Sequence, residues 1–162
     1  GERLPSGVIF GGQPLWAAIG FTLPAILGAG LARPERRPVL LIGDGAAQLT
    51  AAELGTLVRR RVPAIIVVVD NAGYTVERVI HGLHAAYNDI ATWDWTALLT
   101  AVDPSGSSTG VRASTVDELR AALAAARGRD TLTLIQATVP ADDVPPVLRD
   151  VAAAAAAANR RR

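Results

Sequence analysis

Two short apolar runs, Val39-Leu40-Leu41-Ile42 and Ala64-Ile65-Ile66-Val67-Val68-Val69, bracket a stretch that reads as a helix. Runs of this length, rich in branched residues, suit strands buried on both faces of a parallel sheet. Parallel neighbours need a crossover, and one is present. Leu49, Leu54, Leu57 and Val58 recur along 49–61, with Arg59-Arg60-Arg61 as a solvated last turn. The residues just after each strand add a second constraint. Asp44 lies between two glycines in Gly43-Asp44-Gly45, and Asn71 comes 27 residues later in Asn71-Ala72-Gly73. Both side-chain oxygens would emerge at the carboxyl ends of neighbouring strands, where open α/β sheets bind their ligands.

The rest of the chain extends this unit. Gly7 to Phe10 reads as a short strand, and 14–32 as a helix with Pro14 in its first turn. Strands are expected at 38–42 and, after Pro63, at 64–69. Tyr74 to Asp94 is mixed and irregular, 94–101 is helical, and Pro104 to Gly110 is a polar loop. Thr115-Val116-Asp117-Glu118 resembles a capping box opening a helix that ends near Gly128. A strand at 131–138 closes the sheet, and an alanine-rich helix runs from Val144 to a frayed Arg160-Arg161-Arg162. The expected fold is an α/β three-layer domain over 1–142, a parallel sheet with helices on both faces, and a helix over 143–162 packed on it.

Composition removes several function classes. Half of the 162 residues are apolar, enough for one domain with a real core, and the net charge is +1. That charge gives no electrostatic case for nucleic acid or an anionic membrane. Without cysteine there are no disulfides or thiolate metal sites. Without methionine, even an initiator, the chain is expected to begin inside a longer polypeptide. Residues 15–32 are uncharged for 18 positions, the lower limit for a membrane span. Gly20, Pro24, Gly28 and Gly30 interrupt them, and Arg33, Arg36 and Arg37 come next, so a buried helix is expected instead.

The chemistry of Asp44 narrows the ligand. A dinucleotide-binding turn would need a glycine where Gln48 stands and an acidic residue about 20 positions on, and neither is present. A Walker loop fails for want of Gly-Lys-Ser/Thr. A carboxylate in a phosphate loop repels the phosphate unless a cation lies between them. Magnesium suits such a site, taking about six oxygens and favouring one or two protein carboxylates or amides plus phosphates and water. Asp44, the Asn71 amide oxygen and the Gly73 carbonyl can serve, and a helix starting near Ala46–Gln48 would face the same anion.

Gly43-Asp44-Gly45, a spacer and Asn71 resemble the thiamine diphosphate motif of the pyruvate-decarboxylase-like superfamily. The likeness runs from about Gly11 to Ala97. Gly12-Gln13-Pro14-Leu15-Trp16, Gly45-Ala46-Ala47-Gln48-Leu49-Thr50 and Gly73-Tyr74-Thr75-Val76-Glu77-Arg78 are similar to the 2-oxo acid decarboxylases. Ile80-His81-Gly82 and Tyr87-Asn88-Asp89-Ile90 add to this, and indolepyruvate, phenylpyruvate and branched-chain 2-oxo acid decarboxylases are nearest. The resemblance implies thiamine diphosphate and Mg2+ as cofactors, with Asp44, Asn71 and the Gly73 carbonyl on the metal. It further implies cofactor contacts from Gly43, Gly45, Ala46, Tyr74 and Thr75. Ile19 would wedge beneath the cofactor, and the backbone around Ala17 and Ile19 would bind its aminopyrimidine. Glu77 would be catalytic, a partly desolvated carboxyl returning a proton after CO2 leaves.

By the same resemblance the cofactor lies between this domain and a pyrimidine-binding domain, of the same protein or another subunit, absent from this chain along with the middle domain. That domain carries the catalytic histidine pair, so His81 and His84 should not inherit it. His81 is expected to support local structure, and Trp93 and Trp95 to be core or interface aromatics. A cytoplasmic homodimer or homotetramer acting on a small 2-oxo acid is implied, with this chain inactive alone. Asp70 stands where the family usually has asparagine, and Ala17 where glycine is common. Two rival activities stay open: carboligation of the acetolactate synthase type, which the Glu77 run disfavours, and a non-catalytic binding domain, which the intact ligand set disfavours.

Overall fold

Burial decides which apolar runs become strands. The computed structural model describes residues 4–12, 16–82 and 84–159, with side chains as far as 154. Four parallel strands, β1 (Val39–Gly43), β2 (Ile65–Asp70), β3 (Thr109–Ala113) and β4 (Thr133–Thr138), form one sheet in the order β1-β2-β4-β3. The helices are α1 (Thr22–Ala32), α2 (Asp44–Gln48), α3 (Glu53–Arg59), α4 (Thr75–His81), α5 (Trp95–Val102), α6 (Val116–Arg127) and α7 (Pro146–Asn159). On one face of the sheet Leu40, Ile42, Ile66, Val68 and Leu134 pack against Leu23, Ile26, Leu54, Leu57, Trp95 and Leu99 from α1, α3 and α5. On the other, Ile65, Val67, Ile135 and Ala137 meet Ala122 and Ala126 of α6. Each large aliphatic side chain so enclosed contributes about 1.5–3 kcal/mol. The expected α/β three-layer arrangement is the one observed.

The central strand β2 is covered on both faces, which is why its run is continuously β-branched. Edge strand β1 has the same kind of run, yet Val39 and Leu41 are 60% and 71% exposed. Among the described residues nothing covers that side. Arg37, at the entry to β1, donates to the carbonyls of Pro63, Ala126, Arg127 and Thr131, tying the strand's start to the end of α6.

Several boundaries depart from expectation. Residues 7–10 form no strand; they are exposed and unpaired in the sheet. The helix expected over 14–32 begins at Thr22, because Ala17 and Gly20 adopt positive φ of 46° and 82° that no α-helix accommodates. Gln13, Pro14, Leu15 and Arg160-Arg161-Arg162 lie outside the described residues. The helix expected over 49–61 is shorter, α3 at Glu53–Arg59 after a turn at 49–52, and a separate helix α2 begins directly at Asp44. The loop expected at 104–110 gives way to β3 at Thr109, whose polar sequence hides an edge strand. β4 does not close the sheet; it lies between β2 and β3, hence its near-complete burial. Thr75–His81, expected to be irregular, is helical. The capping box forms: Thr115 accepts from the Glu118 N–H at 3.2 Å and Glu118 accepts from the Thr115 N–H at 3.1 Å. No described helix is long and apolar enough to cross a membrane, and α1 has only 11 residues.

Candidate functional site

Gly43 pairs opposite Val69, so the segments leaving β1 and β2 emerge side by side. Asp44, the first residue of α2, is buried. Its Oδ1 accepts the Gly45 N–H at 2.8 Å and its Oδ2 accepts the Gly73 N–H at 3.2 Å, joining the two loops. Burial, with the charge of nearby Asp70 added, raises the Asp44 carboxyl above the usual aspartate range; N–H bonds from Gly45 and Ala72 partly offset this. Two acidic side chains gathered at a buried position create a place where positive charge is stabilised.

Asn71 answers to the same demand. Its Nδ2 donates to the Thr75 hydroxyl at 2.9 Å, which leaves Oδ1 as the free end of the amide. That oxygen is buried and has no hydrogen-bond partner. A buried acceptor left unsatisfied is rare in folded proteins and calls for an explanation such as an ion. The Gly73 N–H reaches Asp44 and Asn71 lies in the same loop as Gly73, so these residues offer a carboxylate, an orphaned amide oxygen and a main-chain carbonyl. All are hard oxygen donors, the type that fits Mg2+. No cluster of three His, Cys, Asp or Glu residues suited to a metal occurs among the described residues.

Two glycines make the packing possible. Gly73 has φ +151°, and a Cβ there would collide with the Asn88 carbonyl oxygen and the Arg78 guanidinium. A Cβ on Gly45 would come within 2.5 Å of the Tyr74 ring, which lies across α2. Ala46 is half-buried against the main core. The segment holding Ala17 and Ile19 docks elsewhere, on the end of α2: Thr50 donates to the Gly20 carbonyl at 2.9 Å, and a Cβ on Gly20 would touch Leu49. Ile19 itself is 56% exposed.

Glu77, in the first turn of α4, has a side chain 47% exposed and pairs with His81 Nε2 at 3.3 Å. The desolvation expected of it is therefore not supplied by the described residues. His81, its side chain more than half exposed, has Glu77 as its neighbour. Trp95 is buried and Trp93 partly so, their rings 5.3 Å apart.

Two residues are not apparent from the sequence. Arg78 is buried, its guanidinium spread across the Asn71–Gly73 loop. Its neighbour Glu77 is the more conspicuous charge, and a charged residue in a helix reads as exposed. Gln136 donates to Asp70 Oδ2 at 2.6 Å and accepts from the Trp95 N–H at 3.2 Å. A signal for it exists, as the one amide within the apolar strand run 132–137. Gln136 gives Asp70 a structural hydrogen bond at the position where the family usually has asparagine.

Residues 3–137 match the thiamine pyrophosphate enzyme, C-terminal TPP binding domain family. The chain belongs to that family. Thiamine pyrophosphate and thiamine diphosphate are the same molecule, so the cofactor expected from the motif is the family's own. The Mycobacterium ulcerans (strain Agy99) "Alpha-keto-acid decarboxylase" is 53% identical over 151 residues, covering 93% of this chain and 26% of the relative. The Mycolicibacterium paratuberculosis (strain ATCC BAA-968 / K-10) protein of the same name is 54% identical over 148 residues, covering 91% and 26%. Among solved structures, the Rhodococcus jostii RHA1 thiamine diphosphate-dependent 4-hydroxybenzoylformate decarboxylase superposes with a TM-score of 0.67 at 27% identity, covering 78% of this chain and 24% of that one. The chain spans about a quarter of the length of these relatives.

Proposed function

We propose that this domain supplies the diphosphate and Mg2+ half of the active site in an enzyme that converts a 2-oxo acid to an aldehyde and CO2. The observation that carries the reading is the buried Asn71 amide oxygen without a partner, in the loop whose Gly73 N–H is bonded to the buried Asp44 carboxylate. The names of the relatives, all decarboxylases of 2-oxo acids, support the reaction class. Asp44, Asn71 Oδ1 and the Gly73 carbonyl would hold the cation, and through it the diphosphate. Gly43, Gly45, Ala46, Tyr74 and Thr75 would line the same end of the sheet, with Ala17 and Ile19 beneath the aminopyrimidine. Thiamine diphosphate supplies the nucleophilic carbon and the electron sink that decarboxylation needs.

What this chain adds is position and a proton. Asp44 would hold the cation that has to lie between its own carboxylate and the phosphates. Glu77 stands on α4 with His81 Nε2 at 3.3 Å, and there it would carry the proton delivered to the carbon that has lost CO2. A pyrimidine-binding domain, from the same protein or another subunit, would supply the desolvation of Glu77. A cytoplasmic homodimer or homotetramer is the assembly that the resemblance supports.

Product analysis of the complete protein on pyruvate and aromatic 2-oxo acids, with Mg2+ and thiamine diphosphate, tests this directly. Aldehyde and CO2 in equal amounts are expected, and Glu77→Gln should lower kcat by roughly 10²–10⁴-fold while cofactor binding is kept. Acetolactate as the main product would replace the reading with carboligation.

A further inference from the structure

Arg78 is a charged side chain almost wholly withdrawn from solvent, and it donates to two carbonyls of the loop that carries two of the assigned ligands, as well as to Thr75, Ala141 and Asp89. We infer that Arg78 is a positioning residue for the cation: it fixes the main chain of Asn71–Gly73 so that Asn71 Oδ1 and the Gly73 carbonyl are left for the metal. The inference rests on the reading of Asp44, Asn71 and Gly73 as ligands.

The hydrogen bonds are specific in direction. Nη1 donates to the Asn71 carbonyl at 3.2 Å, to Thr75 Oγ1 at 3.4 Å and to the Ala141 carbonyl at 3.5 Å. Nη2 donates to the Ala72 carbonyl and to Asp89 Oδ1, both at 2.8 Å. Two successive carbonyls of the loop are thus turned to the guanidinium, and the third, that of Gly73, is not among its acceptors. Ala72 sits at φ 57°, a conformation an alanine rarely adopts, held there by the bonds its carbonyl accepts from Arg78 and from the Ile90 N–H at 3.4 Å. Thr75 completes the arrangement. Its hydroxyl takes bonds from Asn71 Nδ2 and Arg78, and donates to the Ala141 carbonyl at 3.1 Å. The same guanidinium therefore sets both the backbone of Asn71 and the group that orients its side chain. Only a rigid planar fork reaches these acceptors together; a lysine ammonium is a single point charge on a flexible stem.

A merely structural Arg78 and a positioning Arg78 differ in what they do to metal preference. Mg2+ demands near-octahedral geometry at short distances, whereas Ca2+ accepts irregular oxygen shells. A loosened loop should cost Mg2+ more than Ca2+, while general destabilisation should cost both alike. The experiment is calorimetry on the complete protein with thiamine diphosphate present, titrating Mg2+ and Ca2+ separately into the unsubstituted protein and Arg78→Lys. Mg2+ affinity is expected to fall roughly ten- to a hundred-fold, as for loss of a group that orients a ligand, with Ca2+ affinity falling less. Equal losses for the two ions, or no loss for either, overturn the inference. Should Arg78→Lys not accumulate as folded protein, Asp89→Ala frees one side of the guanidinium from an exposed partner. It should shift the Mg2+ to Ca2+ preference in the same direction by less, and an unchanged preference overturns the inference equally. An unsubstituted protein without Mg2+-dependent binding would instead remove the ligand assignment beneath it.

Discussion

A methyl group on Gly73 would meet a backbone oxygen, that of Asn88, whereas a methyl group on Gly45 would meet only the ring of Tyr74. A main-chain carbonyl cannot step aside as a side chain can, so the two substitutions should differ. Gly73→Ala should destabilise by about 3 kcal/mol or more, and Gly45→Ala by about 1–3 kcal/mol, as measured by urea unfolding. Equal effects would mean that the Asn88 carbonyl does not constrain Gly73. At this scale much of the candidate site was legible. Asp44, Asn71 and Gly73 announce themselves because oxygen donors and glycine at strand ends have few other uses. Arg78 was not legible, since nothing in the spacing of Glu77 and Arg78 says which charge turns inward. Only the fold reveals that the carbonyls of Asn71, Ala72 and Ala141 converge on one point. Ile19 is exposed and the Glu77 side chain about half so in this domain, and the roles proposed for them would depend on further surfaces.

Among the elements, α3 ends in an arrangement that favours glycine but holds arginine. Val62 N–H bonds back to the Leu57 carbonyl and Arg61 N–H to the Val58 carbonyl, with Arg61 itself at φ 53°. These are the two bonds of a Schellman motif, whose left-handed position glycine occupies without strain. Arg61→Gly should therefore stabilise the domain by about 1 kcal/mol, raising Tm by roughly 2–4 °C. A lowered Tm would show that the arginine side chain contributes more than its backbone costs. The elements that read clearly, β1, β2, α5 and α6, are those in which a local signal agrees with the tertiary need: a branched run, an aspartate cap, a capping box. Those misjudged had conflicting signals. The apolar stretch before Thr22 promised helix, yet its turns are made by Ala17 and Gly20 at positive φ. Thr109 and Gly110, expected within the loop, open the β3 strand, because an edge strand partnered only by β4 needs few apolar residues.

At the scale of the molecule, the sheet orders its strands so that one unit, β1 and β2 with their adjoining turns, presents all three assigned ligands at a single end. The rest of the domain supports that end. Gln136 of β4 holds Asp70, the segment after β4 accepts from Thr75 and Arg78 through Ala141, and α7 packs on α4. Large apolar side chains remain exposed along the amino-terminal segment, including Ile9, Phe10, Trp16 and Ile19, and on β1 at Val39 and Leu41. Isolated exposed apolar residues are ordinary, and larger exposed patches are where partners commonly bind. The chain spans about a quarter of the length of its relatives. The central claim is that Asp44 anchors the cofactor through a divalent cation. Calorimetric titration of thiamine diphosphate into the complete protein, with and without Mg2+, tests it in the unsubstituted form and in Asp44→Ala. The account predicts Mg2+-dependent binding that Asp44→Ala weakens by about 100-fold or more, some 2.7 kcal/mol, and retention of full affinity in Asp44→Ala would contradict it.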